Sequence, residues 1–164
     1  MEFHEVIEQE TINQYEIERG KPMPSTVHAY VSKNLLVQLE INYRGQYTIL
    51  PELSLGTADA PVVPDIAIYP KFKIDVHHDT IRRKDLPIGV IEVLSPTQSL
   101  DALIEKAGTF LLSGVQSVWI VIPNLEAICV YHTPASYIFF RQNDILKDER
   151  LNIELPLETI FQET

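Results

Sequence analysis

At 164 residues the chain has the length of one ordinary domain, enough to bury roughly two-thirds of the surface its unfolded form exposes. A composition of 45% hydrophobic and 22% charged residues is that of a globular protein, which excludes disorder, and no apolar run approaches the about 18 residues that cross a bilayer. The net charge of −10 excludes a broad, sequence-indifferent nucleic-acid surface, because such binding draws its affinity from Lys and Arg.

The opening Met1-Glu2-Phe3-His4-Glu5 is acidic and lacks the layout of a secretory signal, so a cytoplasmic location with no membrane partner is expected. No repeat, Gly/Ser linker or low-complexity tract divides the sequence, and a single domain over residues 1–164 is expected. Asn13 to Met23 reads as a polar hairpin around Arg19-Gly20. After the Pro22/Pro24 break the spacing predicts a helix from Thr26 to about Tyr43, with Ser25 or Thr26 as N-cap and Val27, Val31, Leu35 and Leu39 on one face. Strand-like runs follow at Gln46 to Leu53, Val63 to Tyr69 and Ile88 to Leu94, separated by Pro, Gly and Asp.

A second helix is predicted over Leu100 to Ser113, where Leu100, Leu103, Ile104, Ala107, Phe110 and Leu111 fall on one arc and Gly114 closes the C-terminus. Strands at Val118 to Ile122, Ala127 to His132 and Tyr137 to Arg141 complete the pattern. The run from Gly89 to Leu94, a helix, then Val118 to Ile122 is a βαβ unit of buried, parallel strands. The expected fold class is therefore α/β (α+β), a mixed sheet with helices packed on it.

Two acids are out of place in those buried strands. Asp65 lies between Val62-Val63-Pro64 and Ile66-Ala67-Ile68, and Glu92 between Val90-Ile91 and Val93-Leu94. An ionised carboxylate left unpaired there costs several kcal/mol, so each needs a cation, a basic partner or hydrogen bonds. If the strands are neighbours, their backbones lie about 4.8 Å apart, close enough for two side chains to share one ion. Hard oxygen ligands suit Mg²⁺ or Mn²⁺ better than zinc.

Other candidates carry less. Cys129, the only cysteine, excludes an internal disulfide and sits in a β-type run as a small hydrophobe. Adjacent His77 and His78 point oppositely in an extended chain, so they read as loop residues. Lys71, Lys73, Arg82, Arg83 and Lys84 share a segment with only Asp75 and Asp79, a local charge of +3. A solvated loop and a phosphate contact are its two readings.

The order Pro64-Asp65, Glu92-Val93-Leu94-Ser95-Pro96, Lys106 on a helix, Gly114-Val115 and Trp119 resembles the bacterial Uma-two family of restriction endonucleases, within the PD-(D/E)XK nuclease superfamily. Tyr15-Glu16-Ile17-Glu18-Arg19-Gly20 and His28 match the family's opening pattern, so the resemblance spans roughly Tyr15 to Tyr131. It implies a restriction-endonuclease-like fold, a mixed sheet core flanked by helices, with Asp65 and Glu92 as metal ligands and the backbone carbonyl of Val93 as a further one. It implies in-line hydrolysis of DNA with Mg²⁺ or Mn²⁺ as cofactor. A homodimer is expected, because cutting both strands of a duplex favours two-fold symmetry. Glu16 and His28 are given no role, since a hairpin Glu and a helix-start His are commonly structural.

The main departure from the family motif is at the lysine that should follow two residues after the acid, where Leu94 stands. Lys106, at the edge of the apolar arc of the second helix, is the candidate replacement. Its position alone fits equally a lysine whose stem packs while its head stays wet; the resemblance, in which a helical lysine recurs after this Glu, favours function. Ser117-Val118-Trp119, Ile122-Pro123 and Phe110 also depart from the family pattern. A domain that keeps the fold without catalysis, for partner binding or self-association, is the competing reading, supported by Leu94 and the −10 charge.

Overall fold

The computed structural model describes residues 17, 20–57 and 60–162. Helix α1 (Thr26–Tyr43) begins where expected, because the Ser25 hydroxyl accepts the His28 N–H and satisfies one of the first-turn donors. Its buried face is His28, Val31, Leu35 and Leu39. Val27, expected on that face, is 53% exposed. The buried arc starts one residue later and includes a polar side chain that an apolar count passes over.

Strands β1 (Tyr47–Pro51), β4 (Ile66–Pro70), β5 (Gly89–Val93), β6 (Ser117–Ile122), β7 (Ala127–Thr133) and β8 (Ser136–Arg141) form a six-stranded sheet in the order β1-β4-β5-β6-β7-β8. All neighbouring pairs are antiparallel except β5 and β6. That one parallel pair is joined by helix α2 (Leu100–Leu112), the predicted βαβ unit. Ser99 caps the start of α2, and Gly114, at φ 112°, follows its C-cap Ser113 in the left-handed region that a residue with a Cβ rarely adopts.

The sheet's alternation sorts its side chains onto two faces. Ile66, Ile68, Ile91, Val93, Trp119 and Val121 pack with Val31, Leu35 and Leu39 of α1. Ala67, Tyr69, Val90, Val118 and Ile120 pack with Leu103, Ala107 and Phe110 of α2. A two-stranded hairpin, β2 (Leu55–Thr57) with β3 (Ala60–Val62), leads into β4. Beyond the last strand read from the sequence, β9 (Ile145–Asp148), β10 (Ile153–Pro156) and the short helix α3 (Glu158–Phe161) add Leu146, Ile153, Leu155 and Ile160 to the α1 face. The hairpin expected over 13–23 falls largely outside the described residues; within it Ile17 is helical and Gly20 forms a turn. Among the described residues no helix is long and apolar enough to cross a membrane.

Candidate functional site

Two of the three side chains singled out as catalytic come from one end of the adjacent strands β4 and β5. Ile66 pairs with Ile91 in antiparallel register, so continuing that register by one residue sets Asp65 beside Glu92. Asp65 precedes β4 instead of lying within it, and its backbone carbonyl accepts the Glu52 N–H at 3.1 Å. Both acids are buried, Asp65 at 3% and Glu92 at 1% exposure. The two carboxylates that an apolar context made conspicuous therefore converge.

A residue the sequence reading did not single out completes the cluster. Lys21, itself buried, places Nζ 2.5 Å from Asp65 Oδ1 and 3.4 Å from Glu92 Oε2. It lies in a bend between the Gly20 turn and Pro22, ahead of α1. Asp65 Oδ2 accepts the Val93 N–H at 2.7 Å and lies 3.1 Å from His28 Nε2. On the other side Lys106, from α2, brings Nζ to 2.7 Å from Glu92 Oε1. Leu94 packs against the α2-side cluster, so the ammonium that the motif would carry on the strand arrives from the helix. Glu16 lies outside the described residues.

The two carboxyls titrate in opposite directions. Burial pushes Asp65 up, but contact with His28 and the charge of Lys21 outweigh it and hold the group well below the usual carboxylate range. Burial dominates at Glu92 and raises it, against the opposing pull of Lys21 and Lys106 and with a further push from Asp65.

The donor set is compatible with a hard divalent cation. Glu92 Oε1 and His28 Nε2 are buried, and each faces one charged partner, Lys106 Nζ at 2.7 Å and Asp65 Oδ2 at 3.1 Å, with no further hydrogen bond among the described residues. Among the described residues no three His, Cys, Asp or Glu side chains group as a metal centre. Two carboxylates with backbone carbonyl and water to complete the shell suit Mg²⁺, which retains several waters, and do not suit zinc. A cleft of about 250 Å³ reaches Asp65 past Pro24, His28 and Glu52.

The remaining sequence candidates lie elsewhere. His78 pairs with Asp75 at 2.7 Å on the surface, a loop contact. Cys129 is buried, and burial raises its thiol pKa, as a small core residue requires. Arg83 is held by Asp85 through two hydrogen bonds, 3.0 and 2.6 Å, and lies over the rings of Tyr69 and Phe72. Lys71, Lys73 and Lys84 are exposed. A third buried acid, Asp148, was not visible from the sequence: it accepts from Ser117 Oγ, from Trp119 Nε1 at 2.7 Å and from the Arg150 and Leu151 N–H groups, with His132 Nε2 at 3.0 Å.

None of the curated proteins matches this chain. Among solved structures, "a putative nuclease belonging to DUF820 from Anabaena variabilis ATCC 29413" superposes with a TM-score of 0.72 at 20% identity, covering 85% of this chain and 83% of the other. That likeness shows the nuclease-like fold. The family model described as "Putative restriction endonuclease" matches residues 1–158. The match takes in nearly the whole chain, and the chain belongs to the Uma2 family of restriction-endonuclease type.

Proposed function

We propose that the protein is a metal-dependent nuclease that hydrolyses DNA phosphodiester bonds, with Asp65 and Glu92 as metal ligands. One observation carries this reading: two fully buried carboxylates meet at the ends of adjacent strands with a lysine from the crossover helix against one of them. Asp65 and Glu92, with the Val93 carbonyl, would hold Mg²⁺ or Mn²⁺, which when bound supplies positive charge at the scissile phosphate and a more acidic water. The protein's own part is preorganisation. The Val93 N–H and His28 fix the Asp65 carboxylate, and the Lys106 ammonium, fixed on α2, is placed to offset charge that develops on the phosphate. Strand cutting with Mg²⁺ or Mn²⁺, lost in Asp65→Ala and in Glu92→Ala while far-UV circular dichroism is retained, is the test; unchanged cutting in either variant sinks the reading.

A homodimer accords with edge strand β8, where Tyr137, Ile138 and Phe139 stand 57%, 50% and 42% exposed. Such an apolar edge is a surface that pairing with a second copy would cover. Sedimentation equilibrium of the wild type and of Ile138→Lys tests it, a monomer in both being the contrary result.

The second reading is a catalytically silent member that uses the fold for binding, and Lys21 is its specific support. An ammonium within reach of both carboxylates already compensates them without a metal. Calorimetric titration separates the two: stoichiometric Mn²⁺ binding abolished by Asp65→Asn supports the nuclease, and absence of heat supports the silent domain.

A further inference from the structure

We propose that a cavity beside Lys106 is a base-binding pocket that takes one unstacked nucleobase of the strand being cut, an inference that rests on the nuclease reading above. The cavity lies between the β2–β3 hairpin and α2 and has a volume of about 200 Å³. That is below the roughly 300–1,000 Å³ of sites for drug-sized ligands, and suits a single planar ring system. Leu55, Val62, Leu86 and Phe110 make its apolar walls. Val62 and Leu86 are partly exposed there, large hydrophobes left at the mouth of a cavity instead of being packed away. Phe110, 5% exposed, contributes aromatic surface to the wall, with the Lys106 ammonium 5.9 Å from its ring centroid.

Two observations select a nucleotide over a neutral apolar ligand. Lys106 belongs to both places: it lines the cavity, and its Nζ lies 2.7 Å from Glu92 Oε1. An occupant is therefore one side chain away from the carboxylate pair, the spacing expected between a base and its own phosphate. The basic segment is also bonded to the cavity's rim. The Gly56 N–H donates to the Arg83 carbonyl at 2.9 Å, and the Arg83 N–H donates to the Ser54 carbonyl at 3.0 Å, tying Arg82 to Lys84 alongside β2. Arg82 Nε, buried, has no hydrogen-bond partner among the described residues. An apolar pocket with a lysine in its wall and the backbone of a basic segment along its rim matches a ring joined to a phosphate backbone.

Bases in an intact duplex are paired and stacked, so such a pocket is filled only from single-stranded, unpaired or flipped-out nucleotides. The substrate class is thus DNA with a locally unpaired nucleotide at the cut. It also reconciles the −10 net charge with nucleic-acid binding, since a base held in a pocket supplies affinity that a broad basic surface would otherwise provide.

Thr109 is exposed on α2 at the cavity, and its hydroxyl donates only to the Glu105 carbonyl, so Thr109→Trp fills the pocket without disturbing the core. Fluorescence anisotropy in EDTA, where cutting plays no part, compares a short single-stranded oligonucleotide, its duplex, and the same strand with a central run of abasic sites. The wild type is expected to bind the intact strand at least about tenfold more tightly than the abasic strand or the duplex. Thr109→Trp is expected to lose that preference while its circular dichroism is unchanged. Equal wild-type affinity for the intact and abasic strands overturns the proposal, as does a folded Thr109→Trp that retains the preference. Base-dependent binding by a chain that never cuts DNA with Mn²⁺ supports the pocket and refutes the nuclease reading, so the two failures are distinguishable.

Discussion

The Lys106 ammonium on α2 lies 2.7 Å from Oε1 of Glu92 on β5, so the strand and the helix of one crossover contribute the two halves of an ion pair. Leu94, just past the end of β5, stands two residues beyond Glu92, and the helix brings the charge back to the same carboxylate. If Lys106 acts on the reacting phosphate, Lys106→Met removes a preorganised charge worth about 10²- to 10³-fold in rate. Single-turnover cutting is expected to fall by that order while calorimetric Mn²⁺ binding persists, because Asp65 and Glu92 are untouched. Cutting at the wild-type rate would return Lys106 to a packing lysine, and loss of Mn²⁺ heat would make it a support for the carboxylate alone.

Lys21 makes the opposite prediction for metal. Its ammonium is within 2.5 Å of Asp65 and 3.4 Å of Glu92, so a divalent cation and Lys21 compete for the same oxygens. Lys21→Met is expected to destabilise the metal-free protein by about 3–5 kcal/mol, the cost of removing one partner from a buried ionic group. It is expected to raise Mn²⁺ affinity by at least about fivefold through the lost competition. Thermal melts with and without Mn²⁺ read both effects, and the variant should regain more stability from the metal than the wild type does. Weaker Mn²⁺ binding in Lys21→Met would show that Lys21 assists the site instead of competing for it.

The two carboxylates were legible because each interrupts a run of Val and Ile, where a charge needs a reason. The two long helices were legible from caps and spacing, and α1 begins and ends at the residues its sequence indicates. On the α1 face Val31, Leu35 and Leu39 are buried as expected, and only Val27 was misplaced, because His28 occupies a buried place that the apolar count skipped. Lys21 was not legible at all: its neighbours are Gly20 and Pro22, and its burial arises from contacts 44 and 71 residues away. Asp148, within Lys147-Asp148-Glu149-Arg150, has the local sequence of a solvated turn. Only the sheet and the β9–β10 hairpin bring it to Trp119.

The opposite pKa displacements of Asp65 and Glu92 give opposite pH signatures. Asp65 is held below its ordinary 3.8, so its ionised form stabilises the fold above that pH and the contribution is lost as pH falls through the folded value. Asp65→Asn should therefore be less stable than wild type at pH 7, with the gap closing in acid. Glu92 is raised above its ordinary 4.5, so its contribution is complete below that value and is lost as pH rises through the folded one. Relative to wild type, Glu92→Gln should gain stability as pH rises through that range. Urea denaturation of the three proteins across pH 3 to 8 checks both signs, and gaps that move in the same direction for both variants would contradict the assignment.

Asp148 separates a buried acid that builds the fold from the pair that builds the site. Its donors are Ser117 Oγ, the Trp119 indole and two backbone N–H groups, and His132 is its ionisable neighbour. Asp148→Ala would leave several buried donors without an acceptor, each costing about 1–3 kcal/mol, so a loss of at least about 3 kcal/mol is expected even without additivity. Trp119 is the only tryptophan, and its emission reports the change directly, since loss of the indole hydrogen bond alters its environment. Because Asp148 contacts neither carboxylate of the candidate site in the bonds that define it, the folded fraction of Asp148→Ala should bind Mn²⁺ as the wild type does. A large stability loss with intact metal affinity identifies a structural hub; a stable variant that loses Mn²⁺ binding would instead tie Asp148 to the site through the sheet.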